Sequence, residues 1–267
     1  MRLVMLSALV LLLAACQTTS PEEEQGPLLL VPDVGQGHGV ALVEGARAVV
    51  VDAGPQEQHA LERALETEGV KEIQLLVLTH PDLDHYGGLD SLRIPVESLL
   101  HGAMTSRDSF LSIPHCPSYP EGCRRALPFQ EFPVLDDVTM RILGPADTAL
   151  APETNDNSLV VEFRRGGRSL LVVSGDLDTN GELALLGRLE STDVVQMGHH
   201  GSKASSHLHW LGAMMPRYAL VQAGVDNPYG HPDAEALARA QAVGATILRP
   251  VGKCLRIGFA PRARVLD

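Results

Sequence analysis

Short apolar runs separated by polar turns make up most of the chain from Leu28 onward. Runs of Val, Leu and Ile bounded by Gly, Pro or Asp are typical of strands. They predict strands at 28–34, 40–43, 47–52, 73–78, 96–100, 138–143, 158–163, 168–173, 193–197, 218–223, 246–249 and 254–259. Apolar residues at helical spacing predict helices at 56–68, 87–92, 179–189, 204–214 and 233–243. Because helices recur in both halves, the pattern indicates a mixed α/β domain.

The N-terminal segment has a different composition from the rest. An apolar run at 3–15 is too short for a membrane-spanning helix but fits the apolar region of a signal peptide. It ends in Leu13-Ala14-Ala15-Cys16, which resembles the bacterial lipobox and implies cleavage before Cys16 and lipidation of its thiol. A plain signal peptide with an accidental cysteine is the alternative. Residues 16–27 then predict a flexible tether, and we expect the folded domain at 28–267.

Lipidation of Cys16 would place the protein in the bacterial cell envelope, held to a membrane by its lipid anchor. Gln17 follows the cysteine, which favours the outer membrane by the sorting habit of such lipoproteins. We therefore expect an outer-membrane or periplasm-facing location.

A Pro-rich stretch near 106–133 predicts an inserted loop. It contains Cys116 and Cys123, which could form a disulfide bond in an oxidising compartment outside the cytoplasm; two unpaired thiols are the alternative. Cys254 lies in an apolar stretch and is expected to be a small buried side chain.

Charge and histidine content narrow the classes of function. The chain carries 21 Lys and Arg against 33 Asp and Glu, a net charge of −12. It therefore lacks the global positive field with which proteins coat duplex DNA. Its 11 histidines are many for a chain with 4% aromatic residues, and histidine is the commonest metal ligand and proton carrier near neutral pH.

The strongest local motif follows the predicted strand 73–78 and reads Thr79-His80-Pro81-Asp82-Leu83-Asp84-His85-Tyr86-Gly87-Gly88. Four metal-capable side chains occupy six positions there. In a tight turn they could serve two cations about 3.5–4 Å apart, and mixed carboxylate and imidazole ligands suit Zn²⁺ or Mn²⁺. A polar helix-capping turn with Asp84 as N-cap is the alternative, but it does not need two histidines and a second aspartate.

Further motifs follow in order along the chain. They are Asp33-Val34-Gly35-Gln36-Gly37, Val51-Asp52-Ala53-Gly54, Asn157-Ser158, Ser174-Gly175-Asp176, Gly198-His199-His200-Gly201-Ser202-Lys203 and Asn227-Pro228-Tyr229-Gly230-His231-Pro232. Together with the first motif, this series resembles the metallo-β-lactamase domain of the ComEC competence proteins, from Leu28 to Phe259. The resemblance implies a four-layer αββα sandwich.

The resemblance also implies a dinuclear site. His80 and Asp82 would bind one metal ion, Asp84 and His85 the other, and Asp176 would bridge them. Neighbouring side chains at a strand end point opposite ways, so we expect one of the two histidines after Gly198 to be a ligand. We favour His199 for that role and expect His200 to face the substrate or a neighbouring carboxylate.

The remaining candidates surround this centre. Asp84, His200 and His231 are candidate catalytic residues, with His231 either a further ligand or a proton donor. Asn157, Ser202 and Lys203 are candidate substrate-binding residues, the last two at the start of the predicted helix 204–214, where backbone N–H groups could meet a phosphate. Asp33 and Asp52 are expected to orient a ligand histidine through its other nitrogen, with turn capping a close alternative for Asp33.

Two departures from the common superfamily pattern affect the expected metal site. Asp82 stands where many members have histidine, which favours a harder ion such as Mn²⁺ over Zn²⁺. No clear histidine completes the first site; His101 and His115 are candidates by type, and Asn157 fits the competence-type pattern better.

The resemblance therefore predicts a hydrolase with two divalent ions, Zn²⁺ or Mn²⁺, and a bridging hydroxide. It favours phosphodiester hydrolysis of single-stranded nucleic acid outside the inner membrane. Hydrolysis of a lactone, thioester or other small ester is one alternative, because a fold does not name its chemistry. A surface-held binding module with a decayed metal site is another.

Overall fold

The computed structural model describes residues 26–102, 122–146 and 155–266. The predicted signal peptide, the lipidation site Cys16 and most of the tether lie outside these residues, as do His115 and Cys116. Within the described ranges no helix combines the length and the apolar character needed to cross a membrane.

Two sheets are formed by fifteen strands in the described part of the chain. The strands are β1 (Leu28–Val31), β2 (Val40–Glu44), β3 (Arg47–Val51), β4 (Glu72–Leu78), β5 (Val96–His101), β6 (Cys123–Arg125), β7 (Glu131–Leu135), β8 (Val138–Gly144), β9 (Val160–Arg165), β10 (Arg168–Val173), β11 (Thr192–Gln196), β12 (Tyr218–Leu220), β13 (Thr246–Leu248), β14 (Leu255–Gly258) and β15 (Arg264–Leu266). The first sheet has the order β15-β14-β1-β2-β3-β4-β5-β6 and the second β13-β12-β11-β10-β9-β8-β7. Strands β3 to β6 and β10 to β13 pair in parallel.

Five α-helices lie in the described ranges: α1 (Ala60–Thr67), α2 (Leu83–Tyr86), α3 (Thr179–Ala184), α4 (Leu208–Met214) and α5 (Ala234–Ala242). The amphipathic helix α1 buries Leu61 and Leu65 against the first sheet. Helices α4 and α5 bury Trp210 and Ala236 against the second. Each sheet is thus covered by helix on its outer face.

Alternating side chains explain the layering. In β1, Leu29 faces the core between the two sheets while Leu30 faces helix α1. In β10, Leu171 and Val173 face the inter-sheet core, and Val172 faces the helices of the other side. Strands that are buried on both faces read as continuous apolar runs, which is the pattern these segments have. The predicted αββα metallo-β-lactamase-type sandwich is confirmed.

Most predicted strands agree with the structure to within a few residues, and the differences fall in two places. The predicted loop near 106–133 is wrong in its described part, because β6 and the start of β7 lie there. Their short, mixed sequences lack an apolar run. Strand β15 was not predicted for the same reason. Cys123, at the start of β6, is disulfide-bonded, and Cys254 is half-buried rather than fully enclosed.

The candidate residues gather at one end of the sandwich. Asp52, Thr79 and Asp176 follow the carboxyl ends of β3, β4 and β10, and His199 follows β11. Because β3 pairs in parallel with β4, and β10 with β11, these ends meet at the same edge. The Leu159 N–H donates to the Thr79 carbonyl at 2.9 Å, which joins the two sheets at this edge.

Candidate metal centre

The loop after β4 turns at once into the short helix α2, which carries Asp84 and His85. Asp82 is at the N-cap position, but its side chain makes no capping hydrogen bond. Gly88 allows this helix to lie against the loop after β3, since a Cβ atom there would be 2.1 Å from the Ala53 carbonyl oxygen. Because Asp84 lies inside α2 and Asp82 holds the N-cap position, the alternative of a capping turn with Asp84 as N-cap is wrong.

Asp176 stands at the centre of the cluster. The Nε2 atoms of His85, His200 and His80 lie 3.2, 3.6 and 3.9 Å from its carboxylate oxygens. On the His80 side, Asp82 lies 3.5 Å from Nε2. Two contacts bring Asp176 to this position. Gly175, with φ of +54°, packs where a Cβ atom would lie 2.9 Å from Thr79 Cβ. The N–H of Asp176 itself donates to the Ser158 hydroxyl at 3.2 Å.

The donors divide into two groups that share one imidazole. His80, His85 and Asp176 form one group, and Asp84, His85 and His200 form the other, each with donor atoms within 4.8 Å of one another. His200 Nε2 lies 3.2 Å from Asp84 Oδ2. Two adjoining donor groups with a central carboxylate are what two neighbouring cations need.

Unpartnered buried atoms test whether a metal fits. The Nε2 atoms of His80, His85 and His200, and Oδ1 of Asp176, are buried without a hydrogen-bond partner in the described ranges. Buried polar atoms normally have partners, and imidazole nitrogen with carboxylate oxygen is the donor set of Zn²⁺ and Mn²⁺ sites. The residues present therefore fit divalent cations.

Asp52 organises the layer beneath these donors. Its fully buried carboxylate accepts hydrogen bonds from His85 Nδ1 at 2.7 Å and from the Thr79 N–H and hydroxyl, both at 2.8 Å. Thr79 Oγ1 is in turn 3.1 Å from His80 Nδ1. With their Nδ1 atoms held in this way, His85 and His80 direct Nε2 towards Asp176, which is the role expected of Asp52.

His38 adds a contact that the sequence reasoning did not assign. It is 1% exposed and its Nδ1 lies 2.8 Å from the same oxygen of Asp52. His38 directly follows the predicted Asp33–Gly37 motif, so its position was a usable signal. The third possible donor group, His38, Asp52 and His85, is therefore better explained as hydrogen bonds to one carboxylate than as a metal site.

The electrostatics of the cluster follow from this pairing. Burial opposes ionisation of Asp52, but the His85 charge and the hydrogen bonds from His38 and His85 outweigh it and hold the Asp52 pKa below its usual value. Burial also opposes the charged form of His85, yet the carboxylates of Asp176 and Asp52 raise its pKa well above the usual value. The carboxylates and imidazoles of the cluster therefore stabilise one another's charged forms.

The geometry reverses the preference between His199 and His200. Residues 199–201 form a 3₁₀ turn rather than a strand end, and His199 and His200 have φ values of +50° and +56°. The alternation argument therefore does not apply. His200 is 3% exposed, and its Nδ1 lies 2.9 Å from the Gln222 carbonyl, which directs Nε2 towards the donors. The His199 side chain is 34% exposed, with Nε2 3.7 Å from Asp176 Oδ2, and lies at the mouth of the site.

A buried carboxylate fixes the loop that follows these histidines. Glu182 of α3 accepts hydrogen bonds from the Ser206 and His207 N–H groups at 2.6 and 2.8 Å. The Ser206 hydroxyl accepts from the Gly198 N–H at 3.1 Å, and Arg239 of α5 donates to the Ser206 carbonyl at 3.0 Å. Glu182, which the sequence reasoning missed, thus connects the Asp176 side of the site to the His200 loop.

The predicted phosphate site at a helix N-terminus is wrong. Ser202 and Lys203 lie in a turn, and α4 begins later, at Leu208. The N–H groups before α4 are already bonded to Glu182. The Ser202 hydroxyl accepts from the Ala204 N–H, and Lys203 is exposed.

Asp33 does not orient a ligand histidine. Its two oxygens accept from the Gly35 and Gly252 N–H groups at 3.1 and 2.7 Å, so it caps a turn, as in the alternative considered for it. His101 Nδ1 lies 2.8 Å from the Gly102 carbonyl, and His101 belongs to none of the donor groups found among the described residues. Buried Asn157 lies beside Leu159, on the His80 side of the edge.

His231 is adjacent to the exposed histidine of the pair. Its ring centroid is 5.7 Å from that of His199. Burial, together with the charges of His199 and His200, lowers its pKa. The lowered pKa favours the neutral imidazole of His231, which can donate or accept a hydrogen bond.

The fold and the donor cluster define a protein of the metallo-β-lactamase fold. The model of the metallo-beta-lactamase superfamily matches residues 32–94, which include the loop after β4. The B. subtilis metallo-beta-lactamase fold protein YhfI superposes with a TM-score of 0.57 at 12% identity, over 86% of this chain and 99% of that one.

Two curated relatives extend the similarity beyond the fold. The competence protein ComA of Neisseria gonorrhoeae is 33% identical over 248 residues, which is 90% of this chain and 33% of ComA. ComE operon protein 3 of Bacillus subtilis is 29% identical over 197 residues, 69% of this chain and 24% of that protein. The chain thus spans a quarter to a third of the length of these relatives.

Asp52→Asn tests the organising role of Asp52. We expect metal affinity to fall about 10- to 100-fold, because the amide cannot accept all the hydrogen bonds that orient His85 and His80. Calorimetric titration with Zn²⁺ and Mn²⁺ measures this. Asp33→Asn is the matched control, because Asp33 bonds only turn N–H groups. Equal losses in both variants would contradict the role.

His200→Ala and His199→Ala distinguish the two histidines. We expect His200→Ala to lose one metal ion per chain and His199→Ala to keep both, because only His200 lies in a donor group. Metal content after dialysis decides between them. The opposite result would restore the ligand role to His199.

The buried Glu182 makes a pH-dependent contribution to stability. Burial raises its pKa to about 7 from a usual value of 4.5. Between these values the folded state binds more protons than the unfolded state, so the free energy of unfolding falls as pH rises. From pH 4.5 to 7 we expect wild type to lose up to about 3 kcal/mol relative to Glu182→Gln.

The measurement is urea unfolding across pH with excess chelator, which removes the pH dependence of metal binding. Other titrating groups are common to both proteins and cancel in the difference. If the free energies of unfolding of wild type and Glu182→Gln changed in parallel with pH, folding would not raise the pKa of Glu182.

Proposed function

We propose that this protein is a metal-dependent phosphodiesterase that uses two divalent cations and acts on single-stranded nucleic acid. The observation that carries the proposal is the pair of adjoining donor groups around Asp176. His80, Asp82 and Asp176 would hold one ion, and Asp84, His85, His200 and Asp176 the other. Bound ions of this kind act as Lewis acids and lower the pKa of water.

The residues of the chain then have distinct tasks. Asp52 and Thr79 keep Nε2 of His85 and His80 directed at the ions. Gln222 does the same for His200 through its carbonyl oxygen. His231, whose pKa is lowered, and the partly exposed His199 lie at the outer side of the cluster, where they would hydrogen bond to the substrate.

The choice of phosphodiesters rests on the motif resemblance to the ComEC competence proteins. The two curated proteins carry competence and ComE operon names, in agreement with the motif resemblance. Phosphodiester chemistry also suits a site that gathers two cations, which can stabilise both the attacking and leaving oxygens. Hydrolysis of lactones or other small esters is the second candidate, and the net charge of −12 favours it because it does not aid the approach of a polyanion.

We also propose that the protein works in the bacterial cell envelope, tethered through lipidated Cys16. The proposal rests on the lipobox-like sequence, and the disulfide-bonded state of Cys123 supports an oxidising compartment.

The test is hydrolysis by the metal-loaded protein. With Mn²⁺ or Zn²⁺ we expect cleavage of bis-p-nitrophenyl phosphate and of labelled single strands, and no turnover of a lactone panel. Asp176→Asn should reduce the rate at least about 100-fold, the scale of a single charge-stabilising group.

Asp178→Asn is the matched control. Asp178 lies two residues away. Its Oδ1 caps α3, a role that asparagine fills equally well, and its Oδ2 accepts from the exposed Asn180 side chain at 3.3 Å, so the rate should stay near wild type. Activity confined to lactones would replace the proposal with the second candidate. A folded protein that retains no metal would indicate a binding module.

A further inference from the structure

A line of aromatic rings leads from solvent to the donor cluster. Tyr229 is 68% exposed, and its ring lies nearly parallel to that of His231, at an angle of 18° and a centroid separation of 6.0 Å. The His231 ring is 5.7 Å from that of His199, whose Nε2 lies 3.7 Å from Asp176. Tyr229 is thus the outermost ring of a series that ends at the metal donors.

The loop that carries Tyr229 is held in place by Asn227. The amide group of Asn227 donates to the carbonyl oxygens of Gly224 and His231 at 2.9 and 2.6 Å. Its side-chain oxygen accepts from the N–H groups of Tyr229 and His231, both at 3.1 Å. The exposed ring is therefore presented by a loop with a fixed backbone, which reduces the entropy lost when a ligand packs against it.

The composition of the loop limits what it can recognise. Residues 224–233 contain no Lys or Arg and include Asp226 and Asp233. The loop cannot attract a phosphate backbone by charge. What it offers is an uncharged aromatic face, and bases of single strands stack on such faces with little sequence preference.

We propose that Tyr229 is a stacking subsite for a nucleobase of the substrate, next to the phosphodiester bound at the metal centre. This inference rests on the proposed function. A tyrosine that stacks a base contributes the same binding in the ground state and in the transition state. Its removal should therefore raise KM and leave kcat nearly unchanged.

The experiment compares two single-stranded substrates of equal length and backbone charge. One is an oligothymidylate, and the other is an oligomer in which every base is replaced by an abasic tetrahydrofuran residue. For Tyr229→Ala we expect KM on oligothymidylate to rise about tenfold, the scale of one lost stacking contact, and KM on the abasic oligomer to stay unchanged.

Two controls define the cause. Tyr229→Phe keeps the aromatic face and should behave as wild type. Val225→Ala shortens another apolar residue of the same loop, 65% exposed, and should leave KM unchanged for both substrates. Metal content is measured for every variant, because a loss of metal would show that Tyr229 stabilises the metal site rather than binding substrate.

Each outcome has a definite meaning. If wild type cleaves neither oligomer, the proposed function is wrong and the subsite falls with it. If wild type cleaves both and Tyr229→Ala affects both equally or neither, the proposed function stands and the stacking subsite is wrong. A rise in KM confined to the oligomer with bases supports the subsite.

Discussion

The candidate metal centre depends on a single buried carboxylate. Asp52 has no solvent exposure, so its charge is costly unless hydrogen bonds and nearby positive charge compensate for it. Thr79, His38 and His85 supply those bonds. The same bonds fix which nitrogen of His85 faces the cluster. A ring that donates its hydrogen bond through Nδ1 leaves Nε2 available to bind a metal ion. The hydrogen bond that stabilises the charged Asp52 is therefore the same one that orients His85.

The backbone at the site departs from ordinary geometry. Asp52, His199 and His200 all have positive φ values, a conformation that non-glycine residues rarely adopt and that persists only where the surroundings enforce it. For the histidines, the surroundings are the Glu182 and Arg239 contacts to the loop that follows. Asp52 is enforced by its hydrogen bonds to Thr79 and the two imidazoles. The Glu182 and Arg239 contacts and the hydrogen bonds of Asp52 thus hold this edge in a backbone conformation that local sequence would not favour.

Sequence reasoning predicted the fold and most residues of the donor cluster, but not the fine geometry of the cluster. The strands were readable because both faces of each sheet are buried, which makes runs such as 73–78 uniformly apolar. Short edge strands such as β6 carry no such run and were missed. The His80–His85 motif was readable because its residue types have few other uses together. The roles of His199 and His200 could not be predicted, because they depend on a turn with positive φ values. Glu182 was missed because it bonds to backbone N–H groups, which every residue type except proline carries.

Charge links the centre to the choice of substrate. Asp52, Asp82, Asp84 and Asp176 place four carboxylates at one edge of an already acidic protein. Without metal, raised histidine pKa values supply part of the neutralising charge. Two divalent cations would neutralise all four carboxylates and displace those protons, because a histidine ligand must be neutral. On the proposed function, two bound cations would thus remove the negative charge of this edge that would otherwise oppose an anionic substrate.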